Sequence, residues 1–308
     1  LDHEAVLPSG QQFRLISGNQ TVVLTEVGAA IRSYTVGDRP VLDGYGEDES
    51  CTGTRGQTLL PWPNRIRDGR YTWGGRTHQL DLTEPAKHGA IHGLTRWANW
   101  QPVEHQKNSA SFRYVLHPCP GWNGILECRL DYTLDDSGLG VRTTATNIGS
   151  TSCPYGTGAH PYLTVGTATI NDAHVRVPAS AYLPVDDLGI PAGQDAVDGT
   201  HYDLRNIQEI GARQIDAAYT QLKRDVDGRA RVRLESPRGH AVELWTDESY
   251  PYLEIYTGDT LPQQDRRRTG IGVEPMTCAP DAFNNGQGLI TLKPQQSHTA
   301  LWGINPDA

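Results

Sequence analysis

Two side chains in this sequence combine the residue types that proton-transfer chemistry needs. His160 lies in Tyr155-Gly156-Thr157-Gly158-Ala159-His160-Pro161-Tyr162, with small residues before it and a proline after it that fixes the backbone locally. Histidine is the side chain whose unperturbed pKa lies nearest neutrality, so it can give or take a proton at working pH. Glu274 stands in Gly272-Val273-Glu274-Pro275-Met276, among apolar residues. Such a setting raises a carboxyl pKa toward that of a useful base. A buried, hydrogen-bonded structural carboxylate is the competing reading of the same residues.

Two further constellations could hold a ligand. Arg65 follows the corner Leu60-Pro61-Trp62-Pro63-Asn64, in which the residues before each proline are held extended. A rigid corner can aim a guanidinium at ligand oxygens, or at the loop's own carbonyls. In His88-Gly89-Ala90-Ile91-His92-Gly93 the histidines have the i, i+4 spacing of a helical metal pair. The glycines oppose a helix and no third ligand is close in sequence, so no metal site is expected. Imidazoles flanked by glycine suit close approach of a ligand hydroxyl, or simply belong to an ordinary loop. The run Arg266-Arg267-Arg268 reads as a solvated loop more readily than as a phosphate cradle.

The elements that must position these groups are strands. Alternating β-branched or aromatic runs recur at Thr21–Val27, Ser111–Leu116, Leu126–Leu134, Leu139–Thr146, Ala230–Glu235, Ala241–Thr246 and Tyr252–Thr257, each bounded by Gly, Pro, Asn or Asp. Between Leu134 and Leu139 the turn Asp135-Asp136-Ser137-Gly138 ends on a glycine able to take positive φ. Other turn signals are Asp68-Gly69, Gly74-Gly75, Asp227-Gly228 and Asn285-Gly286. No stretch holds a helical apolar period beyond two turns. Many strands with short connections predict an all-β protein, a large antiparallel β-sandwich. No linker or repeat interrupts the 308 residues, and the weakly patterned stretch 183–213 still carries apolar anchors, so residues 1–308 are expected to form one domain.

Composition excludes several classes. With 37% hydrophobic residues, repeated membrane spans are not expected, and 27 Lys+Arg against 36 Asp+Glu leaves a formal charge of -9. An acidic surface disfavours nonspecific binding to nucleic acid or anionic membrane. Cys51, Cys119, Cys128, Cys153 and Cys278 are scattered without a C-x-x-C pair, so neither a disulfide framework nor a structural zinc site is expected. The opening LDHEAVLPSG has no basic and no apolar leader segment, which together with the cysteines points to a cytoplasmic protein.

Taken in order, the stretches PNRIRDGRY, KHGAIHGL, TNIGSTSCPYGTGAHPYL, IDAAYTQL, YLEIYTGD and VEPMTCAPDAFN resemble the aldose 1-epimerase (galactose mutarotase) family over roughly residues 60 to 284. The resemblance implies a galactose mutarotase-like supersandwich with neither metal nor organic cofactor. It implies His160 as general acid and Glu274 as general base, with Asn64, Arg65 and His92 on the sugar. Asp216 matches an aspartate that accepts bonds from sugar hydroxyls, and Tyr162 is placed in the same pocket. Glu254 stands where many members carry glutamine, a departure that bears on sugar preference. Trp97, in a stretch unlike the best-known galactose mutarotases, is read either as a stacking platform or as core.

The chemistry implied is anomer interconversion of a free aldohexose. One group removes the proton of the anomeric hydroxyl while another protonates the ring oxygen. The open chain rotates about C1–C2, and the same pair closes the ring on the other carbonyl face. A glucose- or galactose-type sugar is the expected partner, for a monomer or weak homodimer. Rival readings are a hexose-6-phosphate 1-epimerase using Arg65, Arg67 or Arg266–Arg268 for the phosphate, and a noncatalytic carbohydrate-binding β-sandwich. A glycoside hydrolase built on Glu274 and Asp216 is a third.

Overall fold

The computed structural model describes residues 6–307; the first half of the opening segment read for a leader lies outside them. The alternating runs become strands with nearly the expected limits. Ala230–Glu235 and Ala241–Thr246 match to the residue, and Leu126–Asp135 and Gly138–Asn147 form the hairpin closed by Gly138 at φ 113°. Asp135 Oδ1 accepts the Ser137 N–H in that turn. Asn285-Gly286 instead ends a short helix, Ala282–Asn285, with Gly286 in the left-handed C-cap position, a use of glycine equivalent to a turn signal in sequence.

Among the described residues two large antiparallel sheets dominate. One has nine strands in the order Gln101–His105, Ser109–Leu116, Leu126–Asp135, Gly138–Asn147, Ser297–Asn305, Ala241–Thr246, Ala230–Glu235, His174–Arg176, Gln208–Glu209. The other has eight, and its central strands are Asp216–Leu222, Tyr252–Tyr256 and Ile271–Met276. Gly158–Ala159 and Tyr162–Leu163 both pair with Ile271–Met276 and bracket His160. A four-stranded sheet begins at Gln12–Ser17. A continuous apolar core joins all three: Leu15 and Leu24 from the small sheet, Leu126 and Leu130 from the nine-stranded one, Leu253, Ile255 and Val273 from the eight-stranded one. The stretch 183–213 is ordered over the sheets through buried Ile190, Val197, Leu204 and Ile210. Among the described residues no helix is long and apolar enough to cross a membrane, and the five cysteines are free.

Strand periodicity explains where chemistry can sit. Leu253 and Ile255 enter the core, so Glu254 between them faces the opposite side; Val273 and Glu274 divide in the same way. Each buried Val, Leu or Ile contributes about 1.5–3 kcal/mol. A one-residue slip would exchange those apolar groups for two carboxylates, so the register is strongly fixed.

Candidate active site

The outer face of the eight-stranded sheet carries a row of acids. Glu254 lies directly across from Glu274 in the ladder, and Asp216, paired with Tyr256, is Glu254's diagonal neighbour on the next strand. Glu254 and Glu274 are 4% and 2% exposed, whereas Asp216 is exposed at the rim.

His160 reaches Glu274 from the bracketing loop, Nε2 to Oε1 at 3.1 Å. Its N–H donates to the Gln57 carbonyl and its carbonyl accepts the Gly56 N–H, which fix the loop. Tyr162 stacks on the imidazole at 5.0 Å, and its hydroxyl donates to the Gly53 carbonyl. The Arg55 guanidinium lies 4.8 Å over the Tyr162 ring. Tyr162 is therefore a backing plate for His160, with its hydroxyl already engaged. Arg55, fully buried and paired with Asp43, was missed by sequence reasoning because no motif marks it.

The Pro-Asn-Arg corner supplies the second wall. Asn64 has φ 54°, a left-handed conformation that asparagine tolerates. Its Oδ1 accepts the Arg65 N–H, and its Nδ2 donates to Glu254 Oε2 at 3.1 Å. The Asn64 N–H donates to His92 Nδ1 at 3.2 Å, while the His92 N–H returns a bond to the Asn64 carbonyl. This fixes the tautomer: a neutral His92 carries its proton on Nε2. His88, by contrast, is exposed beside Asp68. The glycine after His92 serves packing, since a Cβ at Gly93 would meet the Leu60 carbonyl oxygen at 1.9 Å.

Arg65 makes a bidentate pair with Glu84, Nε to Oε2 at 2.6 Å and Nη2 to Oε1 at 3.0 Å. Asp281 braces the strand below, accepting the Arg67 N–H and donating its own N–H to the Arg65 carbonyl. Gly189 closes over the guanidinium, where a Cβ would lie 2.9 Å from Nη1. Glu84 is 19 positions from Arg65 and carries no sequence signal beyond a carboxylate before Pro85.

Of the three arginines expected in a solvated loop, Arg267 is exposed, whereas Arg266 and Arg268 differ. Arg266 pairs with Asp43, and Arg268 bonds Asp259, Asn171 and the Gly211 and Arg213 carbonyls. They brace the structure because the acids and carbonyls that surround them come from distant segments. Trp97 is no core residue: it is 58% exposed, with Arg96 5.7 Å over its ring, while Trp100 takes the buried position.

Burial sets the electrostatics. It pushes His160 down to about 3, with Arg96 and Arg55 acting the same way. It pushes Glu274 well above the usual carboxylate range, reinforced by Asp216 and opposed by Arg65. His92 is held down by burial and by His160. At His160 desolvation dominates. The 3.1 Å contact favours the ion pair and burial the neutral pair, so His160 and Glu274 titrate together around one shared proton. His160 Nδ1 and Glu274 Oε2 are buried without partners.

His92, His160 and Glu274 bring three ligand-type atoms within 4.8 Å of one another. A metal does not fit them readily. In neutral His92 one ring nitrogen holds the proton and the other receives the Asn64 N–H, leaving no free lone pair.

A family model described as aldose 1-epimerase matches residues 11–304. An uncharacterized Escherichia coli protein, YihR, is 30% identical over 298 residues, covering 96% of this chain and 93% of its own. Galactose mutarotase of Mus musculus is 31% identical over 83% of this chain and 80% of its own. A solved galactose mutarotase/aldose epimerase homologue from C. elegans superposes with a TM-score of 0.85 at 18% identity, covering 96% of this chain and 98% of that one. Galactose 1-epimerase from Lactobacillus acidophilus gives 0.76 at 21%, covering 94% and 92%.

Proposed function

Since this chain belongs to the aldose 1-epimerase family, we propose that it interconverts the α and β anomers of a free aldohexose, with His160 and Glu274 as the proton-transfer pair and residues 1–308 acting as one domain. The observation that carries this reading is the buried His160–Glu274 contact, with an unpartnered atom on each side chain.

In the reactive form Glu274 is ionised and His160 protonated. Glu274 takes the O1 proton as the C1–O5 bond breaks and C1=O1 forms, and His160 gives its proton to O5. The open-chain aldehyde then faces a neutral acid and a neutral imidazole, the protonation state that burial favours. Ring opening therefore discharges a buried ion pair, which offsets part of the cost of breaking the hemiacetal. After C1–C2 rotation the two protons return and the other anomer closes. Asn64, Arg65, His92, Asp216 and Glu254 orient the hydroxyls, His92 as an Nε2–H donor. No step needs a metal or organic cofactor.

The phosphate-reading alternative asks for free arginines. Arg65, Arg67, Arg266 and Arg268 are each paired with a carboxylate, Glu84, Asp186, Asp43 and Asp259 respectively, and Arg267 donates to the Leu261 carbonyl. The binding-module alternative leaves the His160–Glu274 pair without a purpose. Polarimetry on freshly dissolved α-glucose and α-galactose, with glucose 6-phosphate alongside, tests the assignment. An unchanged mutarotation rate for both free sugars would remove it.

A further inference from the structure

We propose that Glu254 works as a neutral carboxylic acid, presenting its O–H to a hydroxyl of the bound sugar. The inference rests on the mutarotase reading only for the identity of that occupant. Three carboxyl groups, Asp216, Glu254 and Glu274, stand on one sheet face. The cation nearest to them, Arg65, already has its fork in Glu84. Three charges on such a face, two of them out of water, are not tolerated without protons.

The groups facing Glu254 are Asp216 from one neighbouring strand, Glu274 from the other, and Arg65 from the Pro-Asn-Arg corner, with the Tyr219 phenol behind. Burial, then Asp216 and Glu274, hold its acidity well above the usual carboxylate range, and only Arg65 opposes them. The Asn64 amide donates to Oε2 at 3.1 Å. A glutamine here would also donate a hydrogen bond, but at every pH. A carboxylic acid donates only while it keeps its proton, so sugar affinity in this chain becomes proton-linked through a residue that takes no part in ring opening.

The test uses 1,5-anhydroglucitol and 1,5-anhydrogalactitol, ring-closed analogues that bind without reacting, titrated calorimetrically across pH. Wild-type affinity stays level and then falls about tenfold per pH unit once the Glu254 proton is lost. Glu254→Gln abolishes that fall. Asp216→Asn moves it to lower pH, because Glu254 loses the negative neighbour that retains its proton. An infrared difference spectrum of wild type against Glu254→Gln, taken without sugar at neutral pH, shows loss of one protonated-carboxyl band. Absence of that band loss, or an identical affinity fall in Glu254→Gln, overturns the proposal. Should Glu254→Gln not fold, the direction of the Asp216→Asn shift decides. Failure of the mutarotase reading is seen separately, as no polarimetric rate in wild type with the infrared band intact.

Discussion

Replacing Glu274 by glutamine keeps the shape that reaches His160 Nε2 at 3.1 Å but removes the group that, in the proposed mechanism, accepts the O1 proton. A positioned acid or base contributes about 10²–10⁴-fold. Glu274→Gln therefore lowers kcat by at least ~100-fold, about 2.7 kcal/mol of barrier at 1.36 kcal/mol per tenfold. His160→Asn does the same from the other end of the relay. Sugar affinity stays within roughly tenfold in both, since the lost interaction belongs to the transition state. The double variant loses far less than the product, because one coupled transfer runs through both groups and neither works alone. Stability discriminates further: a neutral amide replaces a carboxyl whose charge is costly to bury, so Tm of Glu274→Gln holds or rises. The assay is polarimetry of freshly dissolved α-sugar, with exchange NMR near equilibrium. A wild-type rate in either single variant, or losses that multiply in the double one, would refute the shared-proton mechanism.

The pH profile of kcat/KM should be a broad plateau. Burial and two arginines push His160 down to about 3, so the acid limb, where the pair takes up a second proton, lies far below the free-histidine value of about 6.5. Glu274 is pushed up, so the alkaline limb is loss of the pair's last proton; an acid limb near neutrality would show that burial does not govern the pair. Glu84→Gln frees the Arg65 fork and raises KM roughly tenfold, ~1.4 kcal/mol, with kcat largely kept, and an unchanged KM would make the Arg65–Glu84 pair merely structural. Dialysis against a chelator leaves the rate unchanged because His92 has no lone pair to offer; activity restored only by zinc would overturn that.

The strands were legible because one face of each is buried. Leu126–Asp135 alternates apolar and polar along its whole length, and that period survives as a sequence pattern. Ile271–Met276 is buried throughout and shows no alternation, so its place beneath the pocket could not be read from period alone. His160 and Glu274 were legible by local setting, and Asn64, Arg65, His92 and Asp216 through the ordered family resemblance. Glu84 and Arg55 were not, since their roles come from contacts that fold topology alone creates. Protonation was not legible for a related reason. A sequence shows neighbouring charges but not depth, and at His160 depth dominates.

Sheet geometry also sets how the carboxyls of this face act on one another. Across a ladder, the Cβ atoms of facing side chains are about 4.5–5.5 Å apart, close enough for two carboxyls to resist each other's charge. Glu254 and Glu274 stand in that relation, so each favours retention of a proton by the other. The loop residues then divide the two protons between separate tasks. Asn64 tethers Glu254, whereas His160 Nε2 reaches Glu274 and, in the proposed mechanism, draws that proton into the reacting pair. A Glu274→Gln substitution should consequently lower the pH at which the Glu254-linked loss of affinity begins, because one of the two charges opposing ionisation is gone. A limb that stays put would mean the two carboxyls do not sense each other, and the row of acids would be a coincidence of register.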